Sequence, residues 1–110
     1  MMKARIERIA GKLGFSVNWT QTKHGKYAEF SKRSPAGQDF SFDCEYKTLG
    51  EIPEKVYEYY KGYDPSNEAS LWLDGSGHGR NGAPYEMGDI FEDMKWCKES
   101  VRGLYEALSA

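Results

Sequence analysis

Residues 77–82 read GHGRNG and match G-x-G-x-x-G, the loop pattern that binds a pyrophosphate in dinucleotide-binding proteins. A loop of this pattern does that chemistry only where it follows a parallel strand and opens a helix whose free N–H groups point at the anion. Here the preceding segment has the pattern of a helix, and Glu86 and Asp89 lie early in the following helix, where their charges would repel an anion. We therefore expect no nucleotide cofactor at this loop.

The same loop carries three polar side chains that could contact a partner, His78, Arg80 and Asn81. Its glycines permit two interpretations. Glycine adopts positive φ values without strain, so a sharp turn between two helices would explain them. Alternatively, the glycines let a partner's backbone or a nucleic acid approach closely, and the three polar side chains touch it. The sequence favours the conformational interpretation and leaves the second open.

Side chains suited to catalysis or metal binding are few. His24 and His78 fall in separate turns, and Cys44 and Cys97 lack the spacing of a zinc site. A Cys–His pair is conceivable, but both cysteines occupy inward positions of predicted elements, where thiols are inert. We therefore expect no catalytic residues, no metal site and no cofactor, in a protein that is not an enzyme.

Length and composition bound the class of protein. The chain has 110 residues, of which 39% are hydrophobic, 15% aromatic and 29% charged. This balance predicts one globular domain over residues 1–110 with a core of its own. The sequence shows neither a hydrophobic leader segment nor a run of about 18 apolar residues. We expect a reduced, cytoplasmic protein that does not associate with membranes.

Hydrophobic periodicity predicts one helix followed by three strands. Apolar residues recur at helical spacing from Ile6 to Leu13, and Gly14 is a plausible stop. The segments FSVNWT, KYAEFSK and DFSFDCEY follow, separated by short turns that contain glycine. The last segment alternates regularly, with aromatic residues and Cys44 on one face and polar residues on the other. Three short strands joined by tight turns predict an antiparallel meander.

The remainder of the chain has helical patterns. TLGE at residues 48–51 matches a capping box before a helix that ends near Gly62, and Asp64 with Pro65 predicts a short third helix. A fourth helix begins after Pro84 and carries an apolar stripe as far as Leu108, which predicts a core face or, alternatively, a dimer seam. The predicted fold is α+β, a three-stranded antiparallel meander packed with helices in the order αβββααα, in a monomer or weak dimer.

Charge is distributed unevenly along the chain. Residues 1–41 contain eight Lys and Arg against three Asp and Glu, a net charge of +5. Residues 42–75 contain three basic against eight acidic residues, a net charge of −5. Opposed poles on a small domain can steer a charged partner towards one face, or neutralise each other after folding.

The order of one helix, three antiparallel strands and a second helix resembles that of double-stranded RNA-binding domains. In those domains, basic residues at the start of the helix after the third strand bind phosphates. Here the helix after the third strand begins with Glu51 and Glu54. The basic amino-terminal half could instead bind phosphates through another face. The candidate contacts of this alternative function, a nucleic-acid-binding module, are Lys3, Arg5, Arg8, Lys12, Lys23, Lys26, Lys32 and Arg33.

The carboxy-terminal sequence NGAPYEMGDIFEDMKWCKESVRGLYEAL is similar to uncharacterised small proteins of phages and mobile elements in gut bacteria. The order of elements resembles that of small acidic inhibitors, including anti-CRISPR proteins. This resemblance implies a non-catalytic protein whose carboxylates imitate phosphates and occupy the nucleic-acid-binding surface of a protein target, such as a defence complex that processes nucleic acids. The expected partner-binding acidic face consists of Asp39, Asp43, Glu45, Glu51, Glu54 and Glu58.

Overall fold

The structure is a computed structural model that describes residues 2–73 and 87–110. Its strands β1 (Ser16–Thr22), β2 (Gly25–Arg33) and β3 (Asp39–Tyr46) form one antiparallel sheet in the order β1-β2-β3. Its helices are α1 (Lys3–Lys12), α2 (Ile52–Gly62), α3 (Pro65–Leu73) and α4 (Met87–Ser109), and a 3-10 turn at Leu49–Glu51 precedes α2. The predicted α+β class and the order αβββααα are confirmed, including the short third helix.

The two faces of the sheet differ in chemistry because side chains alternate along each strand. On the inner face two cross-strand rows are apolar, Val17–Phe30–Phe42 and Trp19–Ala28–Cys44, and a third row near the β1–β2 turn, Gln21–Lys26–Tyr46, is mixed. On the outer face they are polar: Ser16–Ser31–Ser41, Asn18–Glu29–Asp43 and Thr20–Tyr27–Glu45. Among the described helices, α1 contacts β1, α2 contacts β3, and α4 packs on both helices. The helices bury the inner face, and the outer face meets solvent.

Aromatic rings connect the sheet to α2 through the core. Phe30 is fully buried in the central strand and stacks on Phe42, with ring centroids 5.4 Å apart. Phe42 stacks in turn on Tyr59 of α2, at 4.4 Å and an interplanar angle of 8°. Phe15 meets both phenylalanines edge-on at 6.4 and 6.3 Å. Offset-stacked and edge-to-face pairs are favourable geometries that add to the gain from burying each ring.

A second buried cluster joins α3 to α4. Ala69 of α3 packs with Tyr63, which follows α2, and with Ile90, Met94 and Cys97 of α4. The N-terminus of α3 is capped as the sequence predicts, because the Asp64 carboxylate accepts hydrogen bonds from the next backbone N–H groups, Ser66 N at 3.0 Å and Asn67 N at 3.5 Å.

The apolar stripe of α4 faces the interior of the chain. Its members in the described part of the helix are all buried: Ile90, Met94, Cys97, Val101, Leu104 and Leu108. The core interpretation of the stripe is therefore confirmed, and these side chains are not free to form a dimer seam. In the described part of the chain, no helix combines the length and the apolar character that crossing a bilayer requires.

The turn between β2 and β3 is fastened to α4. Inside the turn, Ser34 N donates to Gln38 O at 2.8 Å and Gln38 N donates to Ser34 Oγ at 3.0 Å. Gly37 has a φ of +89°, in the left-handed region that glycine adopts without strain. Ala36 N donates to Asp93 Oδ1 of α4 at 3.2 Å, so a buried carboxylate holds the turn against the helix.

Replacing the central ring tests whether the aromatic stack carries the fold. Phe30→Ala removes a fully buried ring from the middle strand, and we expect it to lower the free energy of unfolding by about 3–5 kcal/mol. Urea denaturation followed by circular dichroism measures this loss. Ser31→Ala, one residue further on the outer face, should change stability by less than about 0.5 kcal/mol. Equal losses in the two variants would contradict the assigned register.

Candidate functional site

A groove lined by lysines lies at the end of the sheet near the β1–β2 turn. Its volume is about 420 Å³. We call it the basic groove, and its lining residues are Lys3, Trp19, Thr20, Gln21, Lys26, Tyr46, Lys47 and Leu49. Three of the eight carry positive charge and none carries negative charge, so the groove has the composition of an anion-binding site.

Trp19 and Tyr46 form the aromatic part of the basic groove. Their rings meet edge-on with centroids 6.0 Å apart. Trp19 Nε1 donates a hydrogen bond of 2.7 Å to Glu7 Oε1, which fixes the indole to α1. Lys3 Nζ lies 5.1 Å from the centroid of the Trp19 ring, within cation–π range. The indole is therefore a fixed surface that holds one of the lysines in place.

The positive charge of the basic groove comes from three separate places in the chain. Lys3 is the first residue of α1, whose first turn contains no acidic residue, so the positive end of the helix dipole points to this region. Lys26 comes from the start of β2 and donates from Nζ to the Lys47 carbonyl oxygen at 3.4 Å. Within the described residues, Lys3, Lys26 and Lys47 form no ion pair closer than 4.0 Å.

The other predicted nucleic-acid contacts are dispersed. Arg33 pairs with Asp39 across the strands at 3.0 Å, and Arg5 donates to the Ala110 carbonyl oxygen at 3.4 Å. Lys32 lies over the rings of Phe15 and Trp96, at 5.1 and 4.6 Å from their centroids, where its stem covers apolar surface. Three further candidates are exposed and do not line the groove: Arg8, Lys12 and Lys23.

Lys47 belongs to the basic groove but was missing from the sequence prediction. It falls in the stretch of residues 42–75, whose net charge is negative, and only the antiparallel pairing of β2 with β3 brings it beside Lys26. Because Lys26 pairs with Tyr46, Lys47 lies at the same end of the sheet as Lys26. A lysine directly after a strand is the only signal in the sequence that could have indicated it.

The outer face of the sheet collects carboxylates. Glu29 of β2 lies directly opposite Asp43 of β3, and Glu45 follows two residues later on the same face. All three side chains are exposed. We call Glu29, Asp43 and Glu45 the acidic sheet face; Glu29 was missed because the alternation of KYAEFSK does not by itself assign it to this face. Like charges directly opposite each other destabilise a sheet, so this arrangement costs the fold free energy.

Of the remaining members of the predicted acidic face, Asp39 and Glu51 are engaged in contacts, whereas Glu54 and Glu58 are exposed on α2. Asp39 is the partner of Arg33. Glu51 accepts hydrogen bonds at Oε2 from Lys47 N at 2.7 Å and Thr48 N at 3.2 Å, in the predicted capping box. Glu54 lines a separate groove, beside Tyr57 and Tyr105. Glu58 is exposed on α2 and lies near enough to Cys44 to influence its thiol.

Both thiols are buried, as the sequence predicts. Burial is the main cause that raises the pKa of Cys44 to about 12, and the charge of Asp43 adds to it. Burial likewise raises the pKa of Cys97 to about 12, with a contribution from Asp93. At neutral pH both groups are therefore protonated and unreactive, because the thiolate is the nucleophilic form.

Two predictions concern features outside these surfaces. The candidate contacts His78, Arg80 and Asn81 lie outside the described residues. In the described ranges, His, Cys, Asp and Glu side chains form no group of three that could hold a metal ion.

Comparison of the chain with protein-family models, with curated proteins and with solved structures gives no match.

The structural role of Glu51 can be tested through the pH dependence of stability. The two backbone N–H donors lower the pKa of the Glu51 carboxyl below its usual range. A lowered pKa in the folded state stabilises the fold above the usual pKa of glutamate, and this stabilisation disappears as the pH falls through the lowered value. We expect Glu51→Gln to lose less stability than the wild type on acidification.

Urea denaturation at a series of values from about pH 7 to about pH 3 measures the difference, since this range brackets the usual glutamate pKa. Glu54→Gln is the matched control, because Glu54 is an exposed glutamate in the first turn of α2. If the two variants follow the same curve against pH, Glu51 does not act as the cap.

Proposed function

We propose that this protein binds nucleic acid through phosphate contacts in the basic groove. The observation that supports the proposal is the convergence of Lys3 of α1, Lys26 of β2 and Lys47, which follows β3, on one groove whose described lining residues include no carboxylate. Lysine ammonium groups bind phosphates as compact point charges. The alternative function that the sequence offered is thereby favoured over the acidic inhibitor, of whose six predicted carboxylates Asp39 is paired and Glu51 is used in a cap.

The net charge of −2 does not argue against this function, because phosphate binding depends on local charge. The basic groove lies at the opposite end of β3 from the Arg33–Asp39 pair. Two carboxylates hydrogen-bond to groove residues: Glu7 accepts from Trp19 Nε1, and Glu51 accepts from the backbone N of Lys47. Contacts to phosphates position a nucleic acid without reading its bases. The groove is therefore proposed to bind with little sequence preference.

The number of lysines fixes the expected salt dependence. Each phosphate neutralised on a single strand contributes about −0.7 to the slope of log K against log salt concentration, so three contacts give a slope of about −2. Fluorescence anisotropy of a labelled single-stranded oligonucleotide of mixed sequence, titrated between about 50 and about 200 mM salt, measures this slope. A duplex of the same sequence provides the comparison between forms of nucleic acid.

Substitution in the basic groove should change both affinity and slope. Lys26→Gln removes one contact, and we expect weaker binding and a slope smaller in magnitude by about 0.7. Lys61→Gln is the control, because Lys61 is exposed on α2 and does not line the groove. The proposal fails if the wild type shows no binding at about 50 mM salt, or if both variants weaken binding equally.

A second function, binding of a cationic protein surface, is favoured by one specific observation. Glu29 and Asp43 are kept directly opposite each other although this pairing destabilises the sheet. A cationic partner docked on the acidic sheet face would relieve that repulsion. This is the inhibitor hypothesis in a reduced form, resting on Glu29, Asp43 and Glu45 in place of the six carboxylates that the sequence predicted.

A pull-down from a host lysate, with and without nuclease, separates the two functions. Loss of the captured material after nuclease treatment supports binding of nucleic acid. A nuclease-resistant protein supports the second function only if Asp43→Asn with Glu45→Gln abolishes its capture while Glu92→Gln, on the exposed side of α4, leaves it unchanged. Capture that is insensitive to all three substitutions contradicts the role of the acidic sheet face.

A further inference from the structure

Strand β1 is one of the two edges of the sheet. Within residues 2–73 and 87–110 it pairs with β2 alone, in one continuous register from Ser16 to Thr22. An edge strand presents a row of unpaired backbone N–H and C=O groups, which can pair with another chain. The side of β1 that faces away from β2 is therefore a candidate surface for the addition of a strand. We call it the free edge.

The sequence of β1 lacks the features that commonly protect an edge strand. Those features include charged side chains and proline. The seven residues of β1 read SVNWTQT, without a charge or a proline, and four of them favour strands: Val17, Trp19, Thr20 and Thr22. The other edge strand, β3, carries three carboxylates, those of Asp39, Asp43 and Glu45. The chain thus protects one edge of its sheet by charge and leaves the other uncharged.

The strand register identifies the backbone groups on the free edge. Ser34 N donates to Gln38 O at 2.8 Å, which continues the register of β2 with β3 by one pair. Bonding sides alternate along an antiparallel strand, so every second residue of β2 from Ser34 back to Lys26 bonds to β3, and the residues between them bond to β1. The register then leaves three residues of β1 with their N–H and C=O groups on the free edge: Val17, Trp19 and Gln21.

The side chains of the same residues point to the inner face of the sheet, which is incompletely covered at this edge. Val17 and Trp19 are half-buried, whereas their neighbours in the same rows on β2, Phe30 and Ala28, are fully buried. A fourth strand with apolar side chains opposite Val17 and Trp19 would remove more of this surface from water. Opposite residues of an antiparallel pair share a face, so those apolar residues are also the ones whose N–H groups meet β1.

We propose that the free edge binds an extended acidic segment of a partner protein as a fourth, antiparallel strand. Helix α1 packs against β1 and contains four basic residues and one acidic residue, a net charge of +3. Charge complementarity therefore favours an acidic segment beside it. Pairing of β1 with β1 of a second copy would instead bring two α1 helices of the same charge together. From Val17 to Gln21, the free edge accommodates about five residues.

The free edge adjoins the basic groove but uses different atoms. Trp19 and Gln21 also line the groove, where the proposed contacts come from lysine ammonium groups. Strand addition requires the backbone of β1 and no nucleic acid. Peptide binding is measured without an oligonucleotide, and the salt dependence of oligonucleotide binding is measured without a peptide. The failure of either proposal is therefore distinguishable from the failure of the other.

A capped synthetic peptide, acetyl-Glu-Val-Thr-Val-Thr-Val-Glu-amide, is the probe. Its three valines can lie opposite Val17, Trp19 and Gln21, and its two glutamates supply the negative charge. Calorimetric titration into the wild-type chain should show saturable binding at one site. The same peptide with lysine at both ends should bind at least about threefold more weakly, because it reverses the charge that meets α1.

Backbone methylation of the peptide separates strand addition from attraction of its charge to the basic groove. Methylation of the three valine nitrogens removes the donors that would meet β1, and we expect affinity to fall at least about tenfold. Methylation of the two threonine nitrogens alters the opposite side of the added strand and should leave affinity unchanged. Both modified peptides keep the charge and side chains of the original, so equal affinities would overturn the proposal.

Amide hydrogen exchange of the wild-type chain locates the bound peptide. The amides of Val17, Trp19 and Gln21 should exchange rapidly in the free protein and become protected on binding. The amides of Asn18 and Thr20, which bond to β2, should be protected in both states. The proposal is overturned if the unmodified peptide does not bind at about 1 mM, or if binding leaves the three edge amides unprotected. Dimers in sedimentation whose edge amides are already protected without peptide would assign the free edge to a second copy.

Discussion

Burial of a single face of a three-stranded sheet is the constraint on which this structure depends. The described helices pack against one face of the three strands, and the large apolar side chains of the strands point to that face. Phe30 in the middle strand, stacked through Phe42 on Tyr59, joins the sheet to α2 across the core. The α4 stripe then fills the same interior with residues such as Val101 and Leu104. Large rings dominate this packing because each removes much apolar surface from water.

The charged surfaces follow from that one-sided burial. The carboxylates of the strands lie on the outer face, where Glu29 and Asp43 become neighbours across β2 and β3. Lysines concentrate where the covered face ends, around Trp19 and Tyr46, because α1 begins there and the end of β3 returns to the same edge. The domain thus presents opposite charges on two distinct surfaces. Because the two surfaces are separate, the proposed phosphate contacts and the proposed cationic partner use different parts of the protein.

Polar groups inside the core are concentrated at the junction of the β2–β3 turn with α4. Asp93 holds the turn through Ala36 N, and the side chain of Gln38 is buried at the same turn. Burying such groups stabilises a fold only when each finds a partner. The hydrogen bond from Ala36 N to Asp93 Oδ1 supplies such a partner and connects the sheet to the last helix.

Local pattern in the sequence was enough for the elements and for the inward side of β3, since period-2 and period-3.6 spacing depend on neighbouring residues alone. The capping roles of Glu51 and Asp64 were readable for the same reason. Only the tertiary structure decided which charges meet. Register placed Glu29 opposite Asp43, Lys47 beside Lys26 and Asp39 beside Arg33. These pairings depend on how two strands align, which one-dimensional spacing does not encode.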